Sequence, residues 1–168
     1  MSPVEAMIEA QGRVRPMARH DVPVVAALIA RLCLVDHADH ADHADRADRA
    51  APPLDAAALE AGLRAPASRL HGLVAERFGY VVGYALLEAD AAGEALDLRQ
   101  LFVMEGSRGL GLGHRLVGAA ADVARAAGCR RLVTRPPLAS VHAPGFYAAL
   151  GFQAHEAAAA TEYMRALP

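Results

Sequence analysis

A glycine-rich segment between a predicted strand and a predicted helix constrains the fold of this chain more than any other feature. The segment contains Gly106, Gly109, Gly111 and Gly113. Apolar residues in Ala95–Val103 predict a strand before it, and an apolar stripe at helical spacing follows it to about Ala127. Glycines let the backbone turn tightly, so that successive N–H groups and a helix N-terminus point at one spot. The sequence therefore predicts a strand–loop–helix unit with a turn able to bind phosphate oxygens.

The spacing of these glycines differs from that of two well-known phosphate loops. A Walker loop ends in Gly-Lys-Ser or Gly-Lys-Thr, and this chain contains no such ending. The dinucleotide fingerprint is G-x-G-x-x-G, whereas Gly109, Gly111 and Gly113 are spaced two apart. On this segment alone, a turn that serves only close packing remains an equal alternative to a phosphate site.

The hydrophobic pattern divides the chain into alternating element types. The predicted elements are strand 14–17, helices 21–35 and 54–64, strands 70–76, 80–87 and 95–103, a helix to about 127, strand 131–134, helix 143–150, and one or two strands from 153. The order is β-α-α-β-β-β-α-β-α-β, with a second closing strand optional. It predicts an α/β fold, with a mixed sheet of six to seven strands flanked by about four helices.

The same pattern predicts which side chains of three elements face inward. Each set follows the spacing of its helix or the alternation of its strand. The predicted inward residues are Val24, Leu28, Ile29 and Leu32 on the first helix, Leu54, Ala58, Leu59 and Leu63 on the second, and Leu96, Leu98 and Phe102 on the third central strand.

Composition narrows the class of protein. The chain has 168 residues, 54% of them hydrophobic, which suits one ordinary domain with a real core. A net charge of −2 argues against a nucleic-acid partner that needs a broad cationic face. Cys33 and Cys129 are too isolated for a disulfide framework or a zinc site. The sequence has no long apolar run and no signal-peptide pattern, so we expect a cytoplasmic protein without a membrane partner. Residues 1–11 are predicted to be a lead-in to a single domain, 12–168.

A tripeptide repeat occupies residues 36–50, between the first two predicted helices. Aspartate recurs at every third position, and His37, His40 and His43 alternate with it before arginine takes over. A period of three matches neither a helix nor a strand, so the segment is a low-complexity insertion. Histidine and aspartate could chelate a divalent ion, but the uniform spacing is typical of repeat slippage, and no metal site is predicted.

Two motifs at a suitable separation resemble the GNAT acyltransferase superfamily. Residues 108–113, Arg-Gly-Leu-Gly-Leu-Gly, resemble its R/Q-x-x-G-x-G/A pyrophosphate loop. Residues 146–152, Phe-Tyr-Ala-Ala-Leu-Gly-Phe, resemble its F-Y-x-x-L-G-F signature. The strand end at 101–103 and the closing segment 162–165 are also similar to the family. The resemblance covers about residues 14–165, nearly the whole chain.

The resemblance implies that acetyl-CoA is the co-substrate and that no metal takes part. The loop amides with Arg108 and His114 would hold the pyrophosphate, and the main chain of 101–103 would pair with the pantetheine arm. Ser140 stands where the family often has an asparagine; this chain contains no asparagine, so that contact is altered. The residues assigned to the cofactor are Leu101, Phe102, Val103, Arg108, Gly109, Leu110, Gly111, Leu112, Gly113, His114 and Ser140.

The resemblance also implies two catalytic residues. Tyr147 would protonate the departing thiolate, since a phenol with a pKa of about 10 and a thiol of about 8.5 are compatible partners. Asp97 matches the position of a general base for the acceptor amine. Counted back from Val103 by strand alternation, Asp97 faces the same side as Leu101 and Val103. The structural alternative for Asp97 is a solvated carboxylate on the strand, and for Tyr147 it is a core tyrosine that only anchors its helix.

The implied activity is an N-acetyltransferase that moves an acetyl group from acetyl-CoA directly to a primary amine of a small molecule or protein, in a ternary complex. The alternative is a non-catalytic acyl-CoA-binding regulator of the same fold; retention of Tyr147 favours the enzyme. Polyamine acetyltransferases carry acidic residues where this chain has Arg99 and Gln100, which disfavours a polycationic acceptor. In the family, the connection between the first two helices forms a wall of the acceptor site. The repeat at residues 36–50 lies in that connection, so the resemblance implies that it forms a mobile rim of the site. The acceptor's identity and a homodimer are left open.

Overall fold

The computed structural model describes residues 11–38, 56–65, 68–136, 142–157 and 160–168. These residues form seven strands and four α-helices in the predicted order, with both closing strands present. The strands are β1 (Arg13–Pro16), β2 (Leu70–Arg77), β3 (Tyr80–Ala89), β4 (Ala95–Val103), β5 (Arg131–Thr134), β6 (Gln153–Ala157) and β7 (Ala160–Ala166). The helices are α1 (Val22–Ala38), α2 (Ala56–Arg64), α3 (Leu112–Ala126) and α4 (Ala143–Ala149).

The chain divides into two compact units. One unit is Met17–Ser68 and contains α1 and α2, which pack against each other. Within it, the Glu60 carboxylate accepts hydrogen bonds from Arg19 at 2.9 Å and from Arg64 at 2.5 Å. The other unit is Met1–Pro16 with Arg69–Pro168, and its described part contains the whole sheet with α3 and α4.

The buried face of α1 differs from the predicted one. Ile29 is buried as predicted and Leu28 is half-buried, but Val24 is 47% exposed, and Val22 and Val25 are buried in its place. The side chain of Leu32 lies outside the described part of the chain. The apolar run at 22–25 is compatible with more than one buried face of the helix. The observed face contains Val22, Val25 and Ile29, at the helical spacing i, i+3 and i+7. On α2 Leu59 is buried as predicted but Ala58 is exposed, and Leu54 lies outside the described residues.

Helix α1 also ends later than predicted. It continues to Ala38, into the first repeat units, instead of stopping near residue 35. Residues 36–38 contain neither glycine nor proline, and alanine is the best helix former, so nothing local stops the helix there. The rest of the repeat, 39–50, lies outside the described residues.

The seven strands form one mixed sheet in the order β1-β2-β3-β4-β5-β7-β6. Strands β4 and β5 run parallel, and the five other neighbouring pairs are antiparallel. Helix α3 connects the parallel pair and buries its apolar stripe against one face of the sheet. That face, with Leu96, Leu98 and Leu132 at its centre, is the main core of this unit.

A β-bulge in β4 corrects two of the predicted orientations. Leu98 pairs with Leu87 and Gln100 pairs with Leu86, so Arg99 is one extra residue in β4. An extra residue inverts the alternation of every side chain beyond it. Phe102 therefore lies on the face opposite Leu98, where its ring contacts Tyr84 at 5.7 Å between centroids.

The same bulge places Asp97 on the face opposite Leu101 and Val103. Leu101 and Val103 pack against the core beneath α3, together with Leu98. Asp97 pairs with Glu88, which lies on the other face. The predicted side for Asp97 was wrong because counting back from Val103 assumed a regular strand.

Candidate functional site

The parallel strands β4 and β5 separate at one point, and the candidate site is built around it. Their ladder ends with the pair Leu98 and Thr134. Beyond that pair β5 stops, while β4 continues to Val103 and pairs only with β3 among the described strands. The separation coincides with the bulge at Arg99. In the described part of the chain, one edge of β4 therefore has no neighbouring strand. An extended ligand could pair with the main chain of β4 at such an edge, as an added strand does.

The glycine loop lies directly after this part of β4. Gly109 and Gly111 have φ values of +75° and +76°, a left-handed conformation that L side chains rarely adopt. Gly111 is the N-cap of α3, and the first helical hydrogen bond runs from the Arg115 N–H to the Gly111 carbonyl at 3.0 Å. The amides of residues 112–114 precede that bond and have no partner within the helix.

This turn fits a pyrophosphate. Its donors are backbone N–H groups at the positive end of a helix of 15 residues, the arrangement that phosphate oxygens prefer. A Cβ built on Gly109 or Gly111 would meet nothing within 4 Å, so the space in front of these residues is open. The donor set and the open approach would accept phosphate oxygens, and the binding of a pyrophosphate at this turn stays a prediction.

Arg108 ties the loop back to the strand. Its Nε donates to the Val103 carbonyl at 2.9 Å. The Val103 carbonyl, assigned from the sequence to the pantetheine arm, therefore has an internal partner. The Met104 N–H donates to the Val82 carbonyl of β3 at 2.8 Å, so the main chain of Phe102, two residues earlier, also faces β3. Leu101 and the Val103 N–H are left as the main-chain candidates on the free edge. Below the loop, Ser107 is buried and its hydroxyl lies 3.4 Å from an Arg77 Nη.

Arg115 is a residue of the site that the sequence analysis missed. Its guanidinium donates to the carbonyls of Gly12 at 2.7 Å, Gln11, and Leu110 at 3.5 Å. It thus joins the glycine loop to the start of β1. A cation in the first turn of a helix is disfavoured by the helix dipole. That unfavourable placement is the signal that could have marked Arg115 as having a specific partner.

Tyr147 on α4 lies beside the point where β4 and β5 separate. Its ring contacts Phe146, Phe152 and Tyr163 at centroid distances of 5.0 to 5.3 Å, and the residue is 5% exposed. Tyr163 is the strand partner of Thr134, the last residue of β5, so Tyr147 packs next to the end of the β4–β5 ladder. Burial raises the pKa of the phenol above its ordinary value, and the neighbouring Thr134 side chain offsets only part of that rise. The phenol is therefore protonated at neutral pH, as a proton donor must be.

Phe146 connects the glycine loop to the helix that carries Tyr147. A Cβ on Gly113 would lie 3.3 Å from the Phe146 ring, so glycine allows the close approach of α3 and α4. The imidazole of His114 packs edge-on against the same ring, at 5.1 Å between centroids. His114, predicted to contact the cofactor, thus also helps to hold the two helices together.

Asp97 lies one residue before the end of the β4–β5 ladder and belongs to a charged cluster. Arg135 donates to the Asp97 carboxylate at 2.7 Å and to Glu162 at 2.6 Å. Partial burial raises the pKa of Asp97 above its ordinary value, because the charges of Arg135 and Arg99 offset only part of the lost hydration. Asp97 is on the sheet face opposite Leu98, whereas Tyr147 packs in the core on the Leu98 face.

The model of the acetyltransferase (GNAT) family matches residues 35–152. The chain belongs to this family. It is accordingly an acyltransferase enzyme. The family match spans both sequence motifs, the glycine loop and the segment around Tyr147. A search of curated proteins finds no match.

Solved structures of the same fold agree with this membership. PaiA N-acetyltransferase from Thermoplasma acidophilum, in complex with coenzyme A, is 12% identical with a TM-score of 0.72, covering 92% of this chain and 98% of its own. YncA from Salmonella typhimurium, with acetyl-CoA, is 20% identical with a TM-score of 0.69 and 94% coverage of both chains. N-acetylglutamate synthase from Neisseria gonorrhoeae, complexed with coenzyme A and N-acetyl-glutamate, is 22% identical with a TM-score of 0.67, over 94% of this chain. This acetyltransferase covers only 35% of the synthase chain.

Several predictions about this GNAT acetyltransferase fall outside its described residues. Ser140 and residues 39–50 are among them, so their assigned roles remain predictions. Within the described ranges, no group of three or more His, Cys, Asp or Glu side chains could hold a metal ion. No helix in those ranges is long and apolar enough to cross a bilayer.

Proposed function

We propose that this acetyltransferase moves an acetyl group from acetyl-CoA to a primary amine of a small molecule or protein, directly and in a ternary complex. The observation that carries the proposal is the position of the buried Tyr147, whose ring packs on Tyr163, the strand partner of Thr134 at the end of the β4–β5 ladder. Strand β4 of the same sheet leads into the glycine loop. The coenzyme A complexes of PaiA and YncA, which share the fold, support the choice of donor.

Different segments of the chain would bind the pyrophosphate and the pantetheine arm of the co-substrate. The amides of Gly109 to His114 would hold the pyrophosphate, with the Arg108 guanidinium beside them. The free edge of β4 at Leu101 and the Val103 N–H would extend the sheet by pairing with the pantetheine amides. When bound, acetyl-CoA supplies the activated thioester.

Two side chains would handle protons on opposite faces of the sheet. The Tyr147 phenol holds a proton on the Leu98 face and would donate it to the departing thiolate. Asp97 lies on the other face and would accept a proton from the acceptor ammonium, which at a pKa of about 10.4 is rarely free base at pH 7. Its raised pKa makes Asp97 a stronger base than an ordinary aspartate.

The experiment that tests this function is an acceptor screen. The purified enzyme is incubated with acetyl-CoA and each member of an amine library, and both thiol release and acetylated product are measured. Amine-dependent release with one acetyl group per thiol supports the proposal. Tight acetyl-CoA binding with no turnover of any amine would instead favour a non-catalytic acyl-CoA-binding regulator.

We expect Arg115→Met to weaken acetyl-CoA binding by about tenfold, which corresponds to about 1.4 kcal/mol. The methionine keeps the apolar stem of the side chain but removes the donors that hold the Leu110 carbonyl and the Gly12 backbone. Isothermal titration calorimetry with acetyl-CoA measures the change.

The matched control for this variant is Arg125→Met. Arg125 is on the same helix and pairs with the exposed Asp122 at 2.9 Å, far from the loop in sequence. Its substitution should leave the affinity unchanged. Equal affinities for the two variants would show that Arg115 does not order the loop.

A further inference from the structure

The guanidinium of Arg135 joins two carboxylates across strand β5. Arg135 is the first residue after β5, the strand that lies between β4 and β7. One of its Nη atoms donates to the Asp97 carboxylate on β4 at 2.7 Å, and the other lies 2.6 Å from a carboxylate oxygen of Glu162 on β7. The two acidic side chains are only 28% and 23% exposed. We call these three side chains the arginine bridge.

The arginine bridge lies on the sheet face opposite the core beneath α3. Asp97 is next to Leu98, and Glu162 is next to Tyr163; Leu98 and Tyr163 both belong to that core. Neighbouring residues of a strand point to opposite faces of the sheet. The bridge therefore connects β4 and β7 on the face to which Asp97 belongs, at the end of the β4–β5 ladder.

Charged groups face Asp97 from each strand around it. Its partner on β3 is Glu88, which pairs with Arg99 of β4 at 2.5 Å, while Arg135 follows β5 and Glu162 lies on β7. Burial has the largest effect on the pKa of Asp97 and raises it. The positive charges of Arg135 and Arg99 lower that pKa, and the negative charge of Glu88 raises it. Of the two arginines, Arg135 has the larger effect and also donates a hydrogen bond.

We infer that Arg135 and Glu162 are positioning residues that hold the Asp97 carboxylate in place and balance its charge while it exchanges a proton with the acceptor. The inference rests on the proposed role of Asp97 as the base. In that step an N–H bond of the acceptor ammonium breaks, and the nitrogen keeps the electron pair. The proton bonds to a carboxylate oxygen of Asp97, which becomes neutral.

Glu162 compensates the charge of Arg135 after this step. Before it, Arg135 is shared between two carboxylates; after it, Glu162 remains as the counter-ion of the guanidinium. An arginine paired with Asp97 alone would lose its whole ion pair on protonation of Asp97, and a partly buried charge without a partner is costly. The arginine bridge thus lets Arg135 orient Asp97 while lowering its basicity less than an unshared arginine would.

The two partners of Asp97 in the bridge should shift its ionisation in opposite directions. Arg135→Met removes a positive charge and a hydrogen-bond donor, so the pKa of Asp97 should rise. Glu162→Gln keeps the size of the side chain, removes a negative charge and leaves the charge of Arg135 to act on Asp97 alone, so the pKa of Asp97 should fall. General damage to the fold would not produce shifts of opposite sign.

The test measures kcat/KM against pH with an amine that the parent enzyme acetylates. The acid limb of this profile reports the base of the free enzyme. At a fixed pH on that limb, kcat/KM should fall about threefold to tenfold in Arg135→Met and rise by a similar factor in Glu162→Gln, the scale of a partly exposed ion pair. Arg135→Lys keeps the charge and should restore most of the parent profile. Arg125→Met, the control used above, should leave it unchanged.

A second readout requires no acceptor. NMR titration of enzyme labelled with ¹³C at the aspartate carboxyls follows Asp97 directly, its signal being identified by its absence in Asp97→Asn. Arg135→Met should ionise at higher pH than the parent, and Glu162→Gln at lower pH. Where Arg135→Met does not fold, Arg135→Gln takes its place in both measurements.

Two results would overturn the inference. Acid limbs that stay at the parent position in both folded variants, while the Asp97 signal shifts, would show that Asp97 is not the base that the bridge serves. An Asp97 signal that shifts in the same direction in both variants, or in neither, would show that the bridge does not control its ionisation. Failure of the proposed acetyl transfer is recognised separately, by absence of amine-dependent turnover in the unmodified enzyme.

Discussion

Tyr147→Phe should lower the turnover of acetyl transfer by about 10² to 10⁴, the range that a general acid contributes. The substitution removes only the hydroxyl and keeps the ring that packs on Phe146, Phe152 and Tyr163. The fold should therefore persist, and the affinity for acetyl-CoA should change little, because the loop amides and Arg108 would supply most of that binding in the function proposed above. We would measure kcat of Tyr147→Phe with an amine that the parent enzyme acetylates, and the acetyl-CoA affinity of the same preparation.

The matched control is Tyr80→Phe, the same chemical change at a tyrosine that is 75% exposed on the β2–β3 hairpin. It should leave both turnover and affinity unchanged. Parent-like turnover in Tyr147→Phe would mean that water or another group protonates the thiolate and that Tyr147 is a packing residue. A loss of turnover with an equal loss of acetyl-CoA affinity would point to a damaged cofactor site instead.

The order of elements could be predicted from the sequence because each element carries its own periodicity. Strands β4 and β5 were predicted with the observed bounds, and the glycine loop marked the start of α3. Helix faces were less predictable. The apolar run at the start of α1 is compatible with several phases, so only tertiary packing selects Val25 and leaves Val24 exposed.

The features that the sequence did not reveal depend on contacts between distant residues. The extra residue Arg99 in β4 is visible only in its pairing with β3, since polar and apolar residues in this strand also fit a regular alternation. The bond from Arg115 to Gly12 joins residues 103 apart in the chain. Motif resemblance located Tyr147, but its packing against Phe152 and Tyr163 is visible only in the fold.

Gly111→Val should abolish the thermal stabilisation of the enzyme by acetyl-CoA. A ligand that binds only the native state stabilises it by about 2.7 kcal/mol at a hundredfold excess over its Kd. Gly111 has a φ of +76° and opens onto free space, so its backbone can approach a phosphate closely. A valine side chain would occupy that space and would also strain the N-cap of α3.

The matched control is Gly93→Val, which separates the effect of backbone strain in Gly111→Val from the loss of acetyl-CoA binding. Gly93 has a φ of +69°, and a Cβ built on it would also meet nothing within 4 Å, but it lies in the β3–β4 turn. Both variants should lose about 1 to 3 kcal/mol of stability without ligand, since both force valine into a left-handed conformation. Only Gly93→Val should keep the acetyl-CoA shift. If Gly111→Val binds acetyl-CoA as tightly as Gly93→Val does, the pyrophosphate does not rest on this turn and the cofactor must bind elsewhere on the sheet.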